Sequence, residues 1–283
     1  MILSPAERSY LYDSLSVQPP VRPDARSAHQ FRPIEASCSF LPNSNGSSRV
    51  RLSDGGEAIV SVKTQVVLTK NESSLISIDV DINKERDDSN FIKNLISSLE
   101  SILLKKFPIE KLKLTERYSF KVYIDCFILS HNSYPLGLLS LCIYLALKST
   151  RLPLLTSTVN DREIEEQPTF NDDWEASKKL FEPSEHQDDP PLLFVVGIIG
   201  NNVFIDPSNE EEEVSENGLI VGFANGEIVP PVQSTNLSNR DSKGISPKHI
   251  LKAYSMVRNC GKEVVKALNT VVSSDDDVFT SIY

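Results

Sequence analysis

Ile76, Ile78, Val80 and Ile82 alternate with Ser77, Asp79 and Asp81. That two-residue period predicts a strand with one face in a core and the other in water. Further along the period changes. Phe91, Ile92, Leu95, Ile96, Leu99, Ile102 and Leu103 recur at three- and four-residue steps, which predicts an amphipathic helix over 90–106. Tyr118 to Leu129 reads as a long, mostly apolar strand. Tyr134 to Lys148 reads as a helix, apolar nearly all round and therefore buried. Upstream, strands at Arg49–Leu52 and Ala58–Leu68 flank a turn at Asp54-Gly55-Gly56. Ser4-Pro5-Ala6-Glu7 is a capping box with Pro at the first helical position, and it starts a helix to about Leu15. Pro19, Pro20 and Pro23 cannot continue that helix, so Gln18 to Pro23 runs extended.

Residues 157–190 break the pattern. Asp161, Glu163, Glu165, Glu166, Asp172, Asp173, Asp188 and Asp189 stand there without a sustained apolar period, which predicts an acidic linker or surface insertion. Phe170 and Trp174 are the exceptions, since aromatics often anchor a segment. Regular structure resumes with Leu192–Gly200, a tight hairpin at Asn201-Asn202 and a return strand over Val203–Asp206. Gly218–Ala224 and Glu227–Val232 flank Asn225-Gly226, a strong hairpin signal. Ser246-Pro247 opens a C-terminal helix with Ile250, Leu251, Tyr254, Val257, Val264, Val265 and Leu268 inward and a candidate kink at Gly261. From Ser273, through Asp275-Asp276-Asp277, the chain reads as a frayed acidic tail. This order predicts an α+β protein of two stacked β/α layers. It divides into a helix and arm at 1–30, a first half at 31–156, the insertion at 157–190, a second half at 191–272 and the tail at 273–283.

Charge narrows the function classes. The 283 residues carry a net charge of −10, and the asymmetry is large. Residues 1–150 hold 18 Lys and Arg against 16 Asp and Glu, whereas 151–283 hold 11 against 23. A stand-alone RNA-binding module should show a basic balance, and affinity for a polyanion comes mainly from phosphate neutralisation. No run approaches the roughly 18 apolar residues of a membrane span, and Met1-Ile2-Leu3-Ser4-Pro5 lacks the basic and apolar regions of a secretory signal. Cys38, Cys126, Cys142 and Cys260 form no CxxC pair, so neither a zinc site nor another metal site is expected, and a reduced intracellular setting is. His29, His131, His186 and His249 show no ligand spacing.

Several words in the sequence occur in a telling order: Arg22-Pro23-Asp24-Ala25-Arg26, Gln30-Phe31-Arg32-Pro33-Ile34, Asn45-Gly46-Ser47-Ser48, Val62-Lys63, Asp206-Pro207 before Glu210-Glu211, and Glu216-Asn217-Gly218-Leu219. In that order they resemble the RNase PH family over nearly the whole chain outside 157–190. Ser9 to Leu15 and Leu41 to Arg49 are similar to the family's ring subunits in the eukaryotic RNA exosome. The resemblance implies an RNase PH-like fold whose first half is ribosomal-protein-S5-domain-2-like. It implies a hexameric ring of RNase PH-like subunits, a cap of S1/KH proteins, nucleases bound outside, and single-stranded RNA threading the channel. It further implies a subunit of the nucleus, nucleolus and cytoplasm, without cofactor, that supports ribosomal RNA maturation and RNA turnover. Eukaryotic ring subunits of this kind are generally inactive. The rival readings are an active phosphate-dependent 3′-to-5′ exoribonuclease and the stand-alone RNA binder.

Active members of the family hold a phosphate dianion with a Gly-Thr-Ser-like turn at a helix N-terminus, arginines and an acidic general acid. Here the turn is His131-Asn132-Ser133-Tyr134-Pro135. It has no glycine to let the backbone approach an anion, Pro135 has no N–H, and Tyr134 adds bulk. Ser133 reads as an ordinary N-cap. Asp24-Ala25-Arg26 departs from the family's Asp-Gly-Arg. Asp206 is the tempting general acid, but its Asp-Pro form is similar to the non-catalytic branch, and Glu210 to Glu213 read as a solvated acidic loop. Residues 103–121 carry six basic and two acidic side chains. From this stretch Arg117, Lys113 and Lys111 are the candidate RNA contacts, with Lys63 and Arg49 behind them. The competing reading is that the stretch, with Lys105 and Lys106, solvates a helix end.

Overall fold

The computed structural model describes residues 3–156, 168–181, 189–237 and 243–280. Helix α1 (Pro5–Ser16) begins at the expected capping box, with the Ser4 and Glu7 side chains each accepting from the other's backbone N–H. The arm that follows leads into strands β1 (Ile34–Cys38), β2 (Gly46–Leu52), β3 (Glu57–Leu68) and β4 (Ile76–Ile82), then helix α2 (Asn90–Lys106), strand β5 (Tyr118–Ser130) and helix α3 (Leu136–Ser149). The first sheet has the order β1-β2-β3-β5-β4. Only β4 and β5 pair in parallel, because α2 carries the chain over between them. Alternation in β4 is as the sequence predicts: Ile76, Ile78, Val80 and Ile82 are buried, while Asp79 and Asp81 are exposed.

Short strands β6 (Arg151–Leu152) and β7 (Lys178–Lys179) pair with each other. The second sheet follows with β8 (Leu192–Ile199), β9 (Asn202–Ile205), helix α4 (Asn209–Val214), β10 (Asn217–Ala224) and β11 (Glu227–Thr235), in the order β11-β10-β8-β9. Asn225 and Gly226 both take positive φ, 53° and 80°, as a two-residue hairpin turn requires. The other hairpin turns at Gly200-Asn201, one residue earlier than expected, and Gly200 supplies its positive φ of 57°. Helix α5 (Pro247–Thr280) closes the chain.

The α+β layering holds. Helix α3 packs on β2 and β3 on one side and on β8 on the other, so it lies between the sheets, and its residues are buried almost all round. Helix α5 packs on β9 and β10 and reaches α3, where the Tyr144 hydroxyl donates to Asn269 Oδ1 (2.9 Å). Gly261 lies inside the continuous helix α5. It is the point where the helix meets the Phe223 ring, and a Cβ there would lie 2.9 Å from that ring.

Five readings of the sequence need correction. Strand β1 was not expected. Helix α3 starts at Leu136 behind Pro135, and Ser133 is no N-cap: its hydroxyl accepts from Arg32 Nη1 (2.8 Å). Glu210 to Glu213 are not a solvated loop but part of α4, in which Glu211, Glu212 and Glu213 are buried. Helix α5 continues through Thr280, where a frayed tail from Ser273 was expected; residues 281–283 lie outside the described residues. Within the acidic insertion, 168–181 is tied to the body. Phe170 packs on Phe120 (ring centroids 5.7 Å apart), and Leu180 and Phe181 are buried. The rest of that stretch, 157–167 and 182–188 with His186, lies outside the described residues.

Candidate functional site: a junction of buried arginines and carboxyl groups

Arm, sheet turn and helix ends converge beside the turn that precedes α3. Three arginines of the arm region are buried there: Arg22, Arg26 and Arg32. Each is held by a carboxylate from a distant element. Arg22 Nε and Nη2 donate to the two oxygens of Glu211 on α4, both at 2.6 Å, and neither side chain is exposed. Its Nη1 and Nη2 also donate to the carbonyls of Ser27, Gln30, Ile205 and Asp206. Arg32 forks onto Asp206 (2.9 and 2.5 Å), and its Nη1 donates to Asp54 Oδ2 (2.5 Å). Burial disfavours its charge, yet the Asp206 hydrogen bonds and the nearby Asp206, Asp54 and Glu212 raise its pKa above the usual arginine value. Arg26 pairs with Asp24 (2.5 Å) and more loosely with Asp206 (3.3 Å).

Two residues in the left-handed region build this arrangement. Ala25 has φ 60°, a conformation that glycine adopts without strain and that costs an alanine about 1 kcal/mol. Asp206 has φ 49° just past the end of β9, which turns its carboxylate back onto Arg32.

The four successive glutamates of the α4 segment face different ways. Glu211 holds Arg22. Glu213 accepts from Arg8 (3.1 Å) and from the Leu3 N–H (3.2 Å), tying down α1. Glu210 lies on the outer side of the helix. Glu212 points into the turn before α3, where both of its oxygens accept from the Tyr134 N–H at 2.8 and 3.0 Å. Burial pushes the Glu212 carboxyl up to about 8; the Tyr134 N–H and Arg32 oppose that rise, while Asp206 and Asp54 add to it.

These contacts limit what the junction can hold. An anion site at a helix N-terminus needs free N–H groups and uncompensated positive charge. Here the Tyr134 N–H is taken by Glu212, and three arginines face the carboxyl groups of Asp24, Asp54, Asp206, Glu211 and Glu212. The cavity left beside Arg32, Tyr134, Asp206 and Glu212 is about 20 Å3, room for about one water and not for a phosphate. Asp206 is engaged by both Arg32 and Arg26. His131 stacks on Phe91 (6.1 Å) as part of the packing of the turn. Among the described residues no group of His, Cys, Asp or Glu could hold a metal ion, and no helix is long and apolar enough to cross a membrane.

The five candidate RNA contacts lie elsewhere, on two surfaces. Arg49 Nη2 pairs with Glu57 (2.5 Å), and Lys63 lies 3.6 Å from Asp125; both are on the outer face of the first sheet. Lys111 lies in a 3-10 turn with its Nζ 5.5 Å from the Phe181 ring centroid, and Lys113 and Arg117 follow just before β5. Lys63 is level with Tyr123 of β5, six residues past Arg117, so the groups are separated by about 20 Å of strand. The sequence reading named Asp206 but missed the arginine partners Arg22, Arg26 and Arg32 as a unit. The signal was present in the two Arg-containing words of the arm.

Comparison with known proteins agrees with this geometry. Residues 30–153 match the RNase_PH model, described as 3′ exoribonuclease family, domain 1. The exosome complex component RRP42 of Saccharomyces cerevisiae is 42% identical over 273 residues, covering 96% of this chain and 100% of that protein. The exosome complex component rrp42 of Schizosaccharomyces pombe is 30% identical over 246 residues, 81% of each chain. Among solved structures, the Archaeoglobus fulgidus exosome with RNA bound to the active site superposes with a TM-score of 0.67 at 18% identity, over 93% of this chain and 97% of that one. The fold is thus that of an RNase PH-type scaffold. The chain belongs to the RNase PH family, in the branch of the Rrp42 components.

Proposed function

We propose that the chain is a non-catalytic structural subunit of the exosome core ring. It supports 3′-to-5′ processing and degradation of RNA, ribosomal RNA maturation included, by completing the ring, forming part of the channel wall and holding partners. The carrying observation is the sealed junction. The place where an active relative would hold phosphate is filled by Glu212 of the same chain, and the neighbouring arginines are neutralised by Asp206, Asp54, Asp24 and Glu211. With the Tyr134 N–H taken and the three arginines facing at least as many carboxyl groups, the junction offers little to the co-substrate of phosphorolysis.

The partners in this reading are other RNase PH-like subunits of a hexameric ring, S1/KH cap proteins, exosome-associated nucleases and single-stranded RNA in the channel. The protein works in the nucleus, the nucleolus and the cytoplasm. Lys111, Lys113 and Arg117 are its proposed RNA contacts. Lys63 and Arg49 are weaker candidates, because each sits beside a carboxylate. Native mass spectrometry of the complex purified through a tag on this chain is expected to give one copy of it with five other RNase PH-like chains. A stable homo-oligomer, or a monomer in which no RNase PH-like partner is found, would contradict the proposal.

A further inference from the structure

The outer face of the first sheet carries a charge pattern that the junction does not explain. The register of β3, β5 and β4 sets its side chains in cross-strand rows. Ser61, Asp125 and Asp79 form one row, and Ile59, Phe127 and Asp81 the next. Asp125 and Asp79 stand directly opposite each other, which like charges disfavour. Lys63 approaches Asp125 only to 3.6 Å, with both side chains at least half exposed. Among the described residues the Asp79 carboxylate accepts only from the neighbouring Val80 N–H (3.1 Å), and Asp81 has no side-chain partner. Leu41 borders these rows, and together they line a groove of about 510 Å3. Phe127 lies in it 38% exposed. An open groove with an apolar wall and surplus negative charge is a local conflict in the folded chain that a partner would resolve.

We infer that this groove docks an extended segment of a neighbouring polypeptide carrying lysine or arginine flanked by apolar side chains. The cations lie over Asp79, Asp81 and Asp125, and the apolar side chains lie on Ile59, Phe127 and Leu41. Charge complementarity selects the class of partner. RNA is a polyanion and is repelled by these carboxylates, so the groove favours a cationic polypeptide. Size selects the form: a groove of this volume takes a few side chains of a segment, as a pocket within a larger contact. The inference rests on the ring-subunit reading, since the segment belongs to another chain of that assembly.

The test is a charge reversal, Asp79→Lys with Asp125→Lys, in the complex reconstituted from this chain, its RNase PH-like partners and the S1/KH proteins. The expected result is an affinity for one partner chain weaker by about tenfold or more, with an unchanged thermal melt. Should the reversal lower the melt, Asp79→Asn with Asp125→Asn keeps the shape and is expected to weaken the same contact by about threefold. Carbodiimide coupling of the wild-type complex is expected to join at least one of the three aspartates to a lysine of that partner. Assembly within about twofold of wild type by the variant that keeps its melt, with no such link, overturns the inference. So does a variant that alters RNA binding and no protein contact. Failure of the wild-type chain to join any RNase PH-like partner is a different result, which overturns the ring-subunit reading beneath it.

Discussion

Replacing Arg22 with Ala is expected to destabilise the protein by about 3–5 kcal/mol, the range for leaving one partner of a buried ion pair alone. Glu211 would be left fully buried without its bidentate partner, with Arg26 Nη2 at 3.7 Å as the nearest remaining cation. Four backbone carbonyls would also lose a donor. For a chain of this size each kcal/mol shifts the melting temperature by about 2–4 °C, so a drop of roughly 10 °C is expected. Urea unfolding of the Arg22→Ala protein measures it. Pairing the change with Glu211→Leu removes the stranded charge and is expected to recover part of the loss. A loss under about 1 kcal/mol for the single variant would show that the pair does not hold the arm to α4.

The second large effect concerns pH. Glu212 has an ordinary carboxyl pKa of 4.5 in the unfolded chain and about 8 in the folded one. Between those values the folded chain keeps a proton that the unfolded chain has released. Stability therefore falls as pH rises through this window and levels off above it. Glutamine removes the titration while keeping an oxygen for the Tyr134 N–H. Glu212→Gln is thus expected to be more stable than the natural protein by on the order of 2–4 kcal/mol at pH 8, and nearly equal to it at pH 4.5. Urea midpoints across that range check this, and parallel curves for the two proteins would contradict it.

The elements that the sequence discloses are those decided by local rules. The alternation in β4, the apolar stripe of α2, the Ser4 capping box and the Asn225-Gly226 turn all appear where the pattern places them. What stayed hidden depends on residues far apart in the chain. Four successive glutamates look solvated, because a buried carboxylate needs a partner and none is nearby in sequence. Their partners are Arg22 and Arg8, about two hundred residues earlier, and the turn before α3. Even so, Ser208 with Glu211 is a capping box that marks the start of α4. Ser133 has the chemistry of a helix cap, yet Arg32 claims its hydroxyl, and Pro135 precedes the helix instead. That the turn is poorly suited to an anion could be read from its lack of glycine. That Glu212 takes the Tyr134 N–H could not.

In the proposed reading, the junction before α3 is closed to phosphate by the chain's own carboxyl groups. The most direct measurement is a phosphorolysis assay. Purified chain is incubated with end-labelled oligoadenylate with and without inorganic phosphate, and released nucleoside diphosphate is followed. No phosphate-dependent shortening and no nucleoside diphosphate are expected on that reading. Shortening that requires phosphate and releases nucleoside diphosphate, in a preparation freed of contaminating nucleases, would contradict it.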